Sequence, residues 1–318
     1  MTQVKAKSNK MNLFKTLLIC CFAIIGFPSF AQITEKNYKI YAVKLNKEID
    51  LNTIAEEMKN YDLLFFGEEH NDSVIHFLEN KMFELLYQKF NNNISLSMEM
   101  FDRDVQPVMN EYLQGFIREK TFDKDARVWS NYQDYQPLVE FAKNNNLDVI
   151  CANAPSRYTN LVIRKGQQAL MELPDDSKKY FAPLPYDTAT GKYHEKLMNL
   201  TDHKISLTTD TATTKVPAIF MTGVNLVLGQ SLWDATMAYS ISEYLKKNKG
   251  KKVMQVNGRF HSDEGFGIVS QLKKYSPKTK SLIISMETDE SFPTIDWNKY
   301  KHLGDYIIIT DPAISKIW

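Results

Sequence analysis

Short unbroken apolar runs alternate along this chain with longer stretches whose apolar positions recur every three or four residues. The first pattern is that of strands buried on both faces, and the second is that of helices laid over them. Strands are predicted at residues 39–43, 61–66, 94–98, 148–151, 252–256, 281–285 and 306–310. Helices are predicted at 52–59, 73–90, 105–116, 135–143, from 156 onward, at 218–247 and at 265–274. In the second of these, Val74, Phe77, Leu78, Met82, Leu85 and Leu86 fall on one helical face. This alternation predicts an α/β fold, with a mostly parallel sheet and helices on both faces. Residues 170–215 break the rhythm with Pro174, Pro183, Pro185 and a threonine-rich run, and read as an insertion or lid with some short helix.

Two stretches of the chain echo each other. The strand at 63–66 runs into Gly67-Glu-Glu-His70, then Asn71-Asp72, a helix, and a strand ending in Ser97-Met-Glu99. The strand at 253–256 runs into Gly258-Arg-Phe-His261, then Ser262-Asp263, a helix, and a strand ending in Ser285-Met-Glu287. The repeat of strand, Gly-x-x-His, spacer, Asp, helix, strand and Ser-Met-Glu predicts an internal pseudo-duplication. Ligands of parallel α/β sheets bind at the carboxyl ends of strands, which is where every element of the echo falls. His70 and His261 with Glu68, Glu69 and Glu99 are therefore expected on one rim. Histidine and carboxylate together suit a divalent transition metal, held by His70, His261 and Glu99, or general acid–base chemistry. Glu69, Glu99 and Arg259 are the catalytic candidates, with Arg259 able to orient an anionic group. One of Glu68 and Glu69 should face the site and the other solvent. Asp72 and Asp263 are expected as N-caps of the helices that follow them, and Glu287 as a solvated loop acid.

A second constellation is aromatic. Trp129, Tyr132 and Tyr135 place three large rings in seven residues just before a helix. They read either as core packing or as a flat apolar platform for a planar ligand, and a tyrosine can serve as an axial ligand of haem iron.

Composition and charge narrow the picture. The chain has 318 residues, 39 Lys+Arg against 38 Asp+Glu, 43% hydrophobic residues and three cysteines. So much apolar material supports a large core, and a near-neutral balance argues against nucleic acid as partner. The first thirty-one residues read as an export signal. Lys5, Lys7, Lys10 and Lys15 precede the apolar run 17–27, and Ser29 and Ala31 are small residues suited to cleavage before Gln32. Eleven apolar residues fall short of the ~20 that a spanning helix requires. Removal of this segment takes four lysines and no acid, leaving residues 32–318 as one mildly acidic domain. Cys20 or Cys21 could carry a lipid, although Ile19 before Cys20 is larger than such a signal favours. Cys151 then remains alone in an apolar run and reads as a structural thiol.

These segments, together with Ser231-Leu-Trp-Asp-Ala-Thr-Met-Ala238, resemble the ChaN-like haem-binding proteins of the TIKI-like superfamily, over roughly residues 43–287. The resemblance implies an α/β envelope protein of haem or iron uptake, located in the periplasm or at the outer membrane, in some members lipid-anchored, and binding haem as a homodimer. It implies a site at His70, Glu69, Glu99, Arg259 and His261, with Tyr132 or Tyr135 as the iron ligand beside Trp129. Related members are metal-dependent proteases or esterases, so metal-assisted hydrolysis is the alternative activity, and haem or another small molecule the expected ligand.

Overall fold

The computed structural model describes residues 33–208 and 223–314. The export segment, Cys20, Cys21 and much of the threonine-rich run lie outside the described residues.

Eight strands form one sheet in the order β2-β1-β8-β7-β3-β6-β4-β5. They are β1 (Tyr38–Ala42), β2 (Lys47–Ile49), β3 (Leu63–Glu68), β4 (Ile94–Asp102), β5 (Val149–Asn153), β6 (Lys252–Gly258), β7 (Ser281–Thr288) and β8 (Tyr306–Thr310). The six strands from β3 to β8 pair in parallel, and β1 and β2 close one edge antiparallel. The helices are α1 (Leu51–Glu57), α2 (Ser73–Phe90), α3 (Gln106–Leu113), α4 (Glu119–Asp125), α5 (Tyr132–Asn144), α6 (Ser156–Lys165), α7 (Gln168–Met171), α8 (Asp175–Lys178), α9 (Gly191–Thr208), α10 (Gly223–Lys247) and α11 (Gly267–Tyr275).

Alternate residues of the central strands go to opposite cores, as a period of two requires. Leu64, Phe66, Met98, Val256 and Ile284 pack with α2, α3 and α5 on one face. Leu63, Phe65, Val253 and Ile150 pack with α10 and α11 on the other. Helices thus cover both faces, as the apolar pattern predicts.

The echoed units interleave in this sheet. The first, β3-α2-β4, steps over β6, and the second, β6-α11-β7, steps over β3 in the opposite direction. A half-turn about an axis between β3 and β6 exchanges β3 with β6 and β4 with β7. Right-handed crossovers made in opposite directions place their helices on opposite faces, in accord with the positions of α2 and α11.

The insertion differs from its sequence reading. Residues 170–215 contain α9, a helix of eighteen residues, and not only short helix. Tyr193 and Leu197 of α9 bury against Val227 of α10.

Asp72 caps α2 as expected, accepting from the backbone N–H of Val74 at 2.8 Å and of Ile75 at 3.2 Å. Its other oxygen accepts the Thr310 hydroxyl of β8 at 2.6 Å, which fixes the helix start to the sheet. Asp263 caps no helix; its carboxylate takes Arg259 and Ser285 instead. Replacement of a capping Asp by Ala costs about 0.5–2 kcal/mol, and here it also removes the short hydrogen bond from the Thr310 hydroxyl. Asp72→Ala is therefore expected to lower the urea midpoint by that equivalent, with an unchanged m-value; an unchanged midpoint would contradict the assignment.

Candidate functional site

The carboxyl ends of β7, β3, β6 and β4 lie side by side, and the echoed motifs meet there. The two glycines are what allow it. A Cβ on Gly67 would sit 2.9 Å from the Arg259 Cα, and one on Gly258 would sit 2.7 Å from His70 Nε2. Each motif's glycine makes room for the other motif's working residue.

His70 is the exposed member of the group, its side chain 44% accessible. Its Nδ1 lies 2.6 Å from Glu68 Oε1 and 3.3 Å from the Tyr135 hydroxyl. Its carbonyl lies 3.1 Å from His76 Nε2, which fixes the loop beneath the ring. Among the described residues Nε2 has no hydrogen-bond partner. Burial opposes the imidazolium, but the hydrogen bond and charge of Glu68 and the charge of Glu99 raise the His70 pKa.

Below His70 is a buried polar layer. Glu68 Oε1 also accepts the Tyr135 hydroxyl at 2.7 Å. Glu68 Oε2 lies 3.5 Å from His76 Nδ1, and Glu79 Oε2 lies 3.1 Å from the same nitrogen. Burial pushes the Glu68 carboxyl up, but hydrogen bonding with Glu79 and His70, and the positive field of His76 and His70, hold it down to about 2. Burial and the neighbouring Glu68 charge push Glu79 well up.

A second buried chain runs through His261. Its Nε2 faces Glu99 Oε1 at 3.2 Å and its Nδ1 faces Asp234 Oδ1 at 2.6 Å. Glu99 Oε2 accepts the Gly258 N–H at 2.8 Å. Asp234 Oδ2 accepts the Tyr193 hydroxyl at 2.8 Å, so α9 of the insertion reaches the site through a phenol. Glu99 lies where the β4–β5 register shifts between Met98 and Asp102, an irregularity that re-aims a side chain. Burial disfavours the His261 imidazolium, yet the charges of Glu99 and Asp234 and their hydrogen bonds push its pKa up to about 10. Those same contacts, led by the His261 charge, keep Glu99 below its ordinary value despite burial.

Several sequence expectations change on this geometry. Glu68, not Glu69, faces His70; Glu69 pairs with Arg259 Nε at 2.5 Å. Arg259 also holds Asp263 at 2.5 Å and Glu287, so each nitrogen of its fork meets a carboxylate and three of its five N–H donors are engaged. Glu287 is accordingly an ion-pair partner, not a solvated loop acid. His261 turns Nδ1 to Asp234 and Nε2 to Glu99, the carboxylate expected beside it in a metal site with His70. Tyr132 and Tyr135 do not form an open platform. Both are buried, Tyr132 against Phe101 and Phe122, and burial raises both phenol pKa values. Trp129 is half-buried, its ring centroid 5.5 Å from that of His70 at 74°. Cys151 is buried in β5, with burial raising its thiol pKa well above the ordinary value.

Sequence reasoning missed His76, Glu79, Asp234 and Tyr193. Two signals were available. His76 and Glu79 stand three apart on the apolar face of α2, and Asp234 interrupts an apolar stretch of α10, where an unpaired carboxylate would be costly.

The His261 shift has a definite pH signature. A folded-state pKa raised from an ordinary value near ~6.5 to about 10 gives stability fully present below ~6.5 and lost as pH rises through about 10. The unfolding free energy should therefore fall between pH 7 and 10, with a slope of up to ~1.4 kcal/mol per pH unit. Urea titrations across that range should show the decline, and His261→Gln should flatten it. A flat wild-type profile would contradict the buried imidazolium.

A family model described as "Haem-binding uptake, Tiki superfamily, ChaN" matches residues 54–272. Among solved structures, one titled for cofacial heme binding to ChaN of Campylobacter jejuni aligns with a TM-score of 0.64 at 17% identity, covering 87% of this chain and 98% of that one. Among curated proteins, Protein RETICULATA-RELATED 5, chloroplastic, of Arabidopsis thaliana is 20% identical over 257 residues, or 76% of this chain. The alignment spans 33% of that longer protein's length.

Proposed function

Because this chain belongs to the haem-binding uptake family of the Tiki superfamily that includes ChaN, we propose that it binds haem, with His70 facing the iron. One observation carries the assignment: His70 is half-exposed, its Nδ1 anchored on buried Glu68 and its Nε2 without a partner among the described residues. A histidine whose inner nitrogen is held by a carboxylate keeps a fixed tautomer and orientation and presents a more basic outer nitrogen to a metal. Tyr135, in contact with both His70 and Glu68, supports this anchor, and the half-buried Trp129 flanks it with apolar surface. Haem supplies a coordinating iron in a planar, largely apolar ring. The chain supplies a held imidazole, an aromatic neighbour and a rim on which the ring can rest.

The same reading places the protein in the cell envelope, after export directed by residues 1–31, in the service of haem or iron acquisition. A surface-held ring also leaves one face open, so the reading includes a homodimer that forms on haem loading. Lipidation at Cys20 or Cys21 would tether such a protein to a membrane surface.

Haemin titration tests the assignment. Wild type should give a saturable change in the Soret region. His70→Ala should weaken binding about tenfold or more. Gly258→Ala, which keeps His70 but sets a methyl against its Nε2, should also weaken it, while Tyr132→Phe should leave it unchanged. Loss of binding in Tyr132→Phe with retention in His70→Ala would reverse the ligand assignment, and no saturable change in wild type would overturn haem binding itself.

A further inference from the structure

The layer beneath His70 holds more negative charge than its hydrogen bonds account for. Glu68, His76 and Glu79 are all buried, and one ligand-type atom from each lies within 4.8 Å of the others. Among the described residues Glu68 Oε2, Glu79 Oε1 and Asp134 Oδ2 of α5 have no N–H or hydroxyl donor. Asp134 is near enough for its charge to bear on Glu79. Buried carboxylate oxygens without such donors are costly unless a shared proton or a cation serves them, and a shared proton serves only the Glu68–Glu79 pair.

We propose that Glu68, His76 and Glu79 bind a divalent cation of the Zn²⁺ or Mn²⁺ class in this buried layer. His76 is disposed as a ligand: Nε2 lies 3.1 Å from the His70 carbonyl, so it carries the ring proton there and turns Nδ1 toward the two carboxylates. This is the outer-shell arrangement usual for metal-bound histidine. Nδ1 stands 3.5 Å from Glu68 Oε2 and 3.1 Å from Glu79 Oε2. Arms of ~2.1 Å to a tetrahedral ion put neighbouring donors ~3.4 Å apart, and the two separations bracket that value. One imidazole and two carboxylates also balance a double positive charge. The remaining Glu68 oxygen is held by Tyr135 and His70, so the ion would sit behind the carboxylate that orients His70. The inference stands independently of haem binding at His70.

Full-length protein purified from cells grown with added ZnCl₂ and MnCl₂ provides the test, with metals counted by mass spectrometry and haem by pyridine haemochromogen so that haem iron is not confused with this ion. Wild type should hold about one equivalent of Zn or Mn, and Glu79→Gln and His76→Gln should each retain about a tenth or less. Should the variants not fold, wild type unfolded with EDTA and refolded with or without Zn²⁺ gives the same answer: uptake of about one equivalent on refolding supports the site. Wild type that takes up no metal in either experiment would overturn it and leave a shared proton between Glu68 and Glu79. Folded variants that keep a full equivalent would also overturn it.

Discussion

The site rests on the close approach of β3 and β6, made possible by two residues that have no side chain. Parallel strands run side by side in this sheet with Gly67 opposite Asn257 and Glu68 opposite Gly258. Arg259 crosses above Gly67 and His70 lies against Gly258. A side chain at Gly67 would meet the Arg259 backbone and drive one motif away from the other, leaving charges now paired across the junction to face a low-dielectric interior alone. One at Gly258 would displace the His70 ring. The interleaved crossovers bring Glu99 and Glu287 to the flanks of this junction, one from each side of the pseudo-symmetric sheet.

Symmetry of backbone has not meant symmetry of chemistry. His70 is half-exposed with one nitrogen unpaired among the described residues, whereas His261 is buried between Glu99 and Asp234. Asp72 caps its helix and Asp263 clamps Arg259. Ser285 donates to Asp263, whereas the Ser97 hydroxyl has no partner. One half of the echoed layout presents an accessible imidazole and the other buries its histidine among carboxylates.

Much of the fold was legible because its central strands are buried on both faces and its α2 pattern is strongly periodic. The sheet's β2 left no signal, being three residues that are mostly exposed. The helix α9 was obscured because its flanks are proline- and threonine-rich and its own apolar positions are sparse. At the site, the echo correctly located the four strand ends and both histidines, since motif spacing translates directly into position along parallel strands. It could not say which of two adjacent glutamates turns inward, because that depends on the pleat at the end of β3. Nor could it show that each nitrogen of Arg259 already meets a carboxylate. The residues it missed, His76, Glu79, Asp234 and Tyr193, come from helices that reach the rim only through tertiary packing.

The interleaving also bears on the order of events during synthesis. Glu69 and Arg259 are separated by 190 residues in the chain, and β3 finds its neighbours only in β6 and β7. Long-range parallel pairing of this kind closes late, after the loop entropy of most of the domain has been overcome. A nascent chain that has emerged only as far as β5 therefore carries the first Gly-x-x-His motif with its anchors Glu68, His76 and Tyr135 but without the strands that flank β3, and the two motifs meet only late.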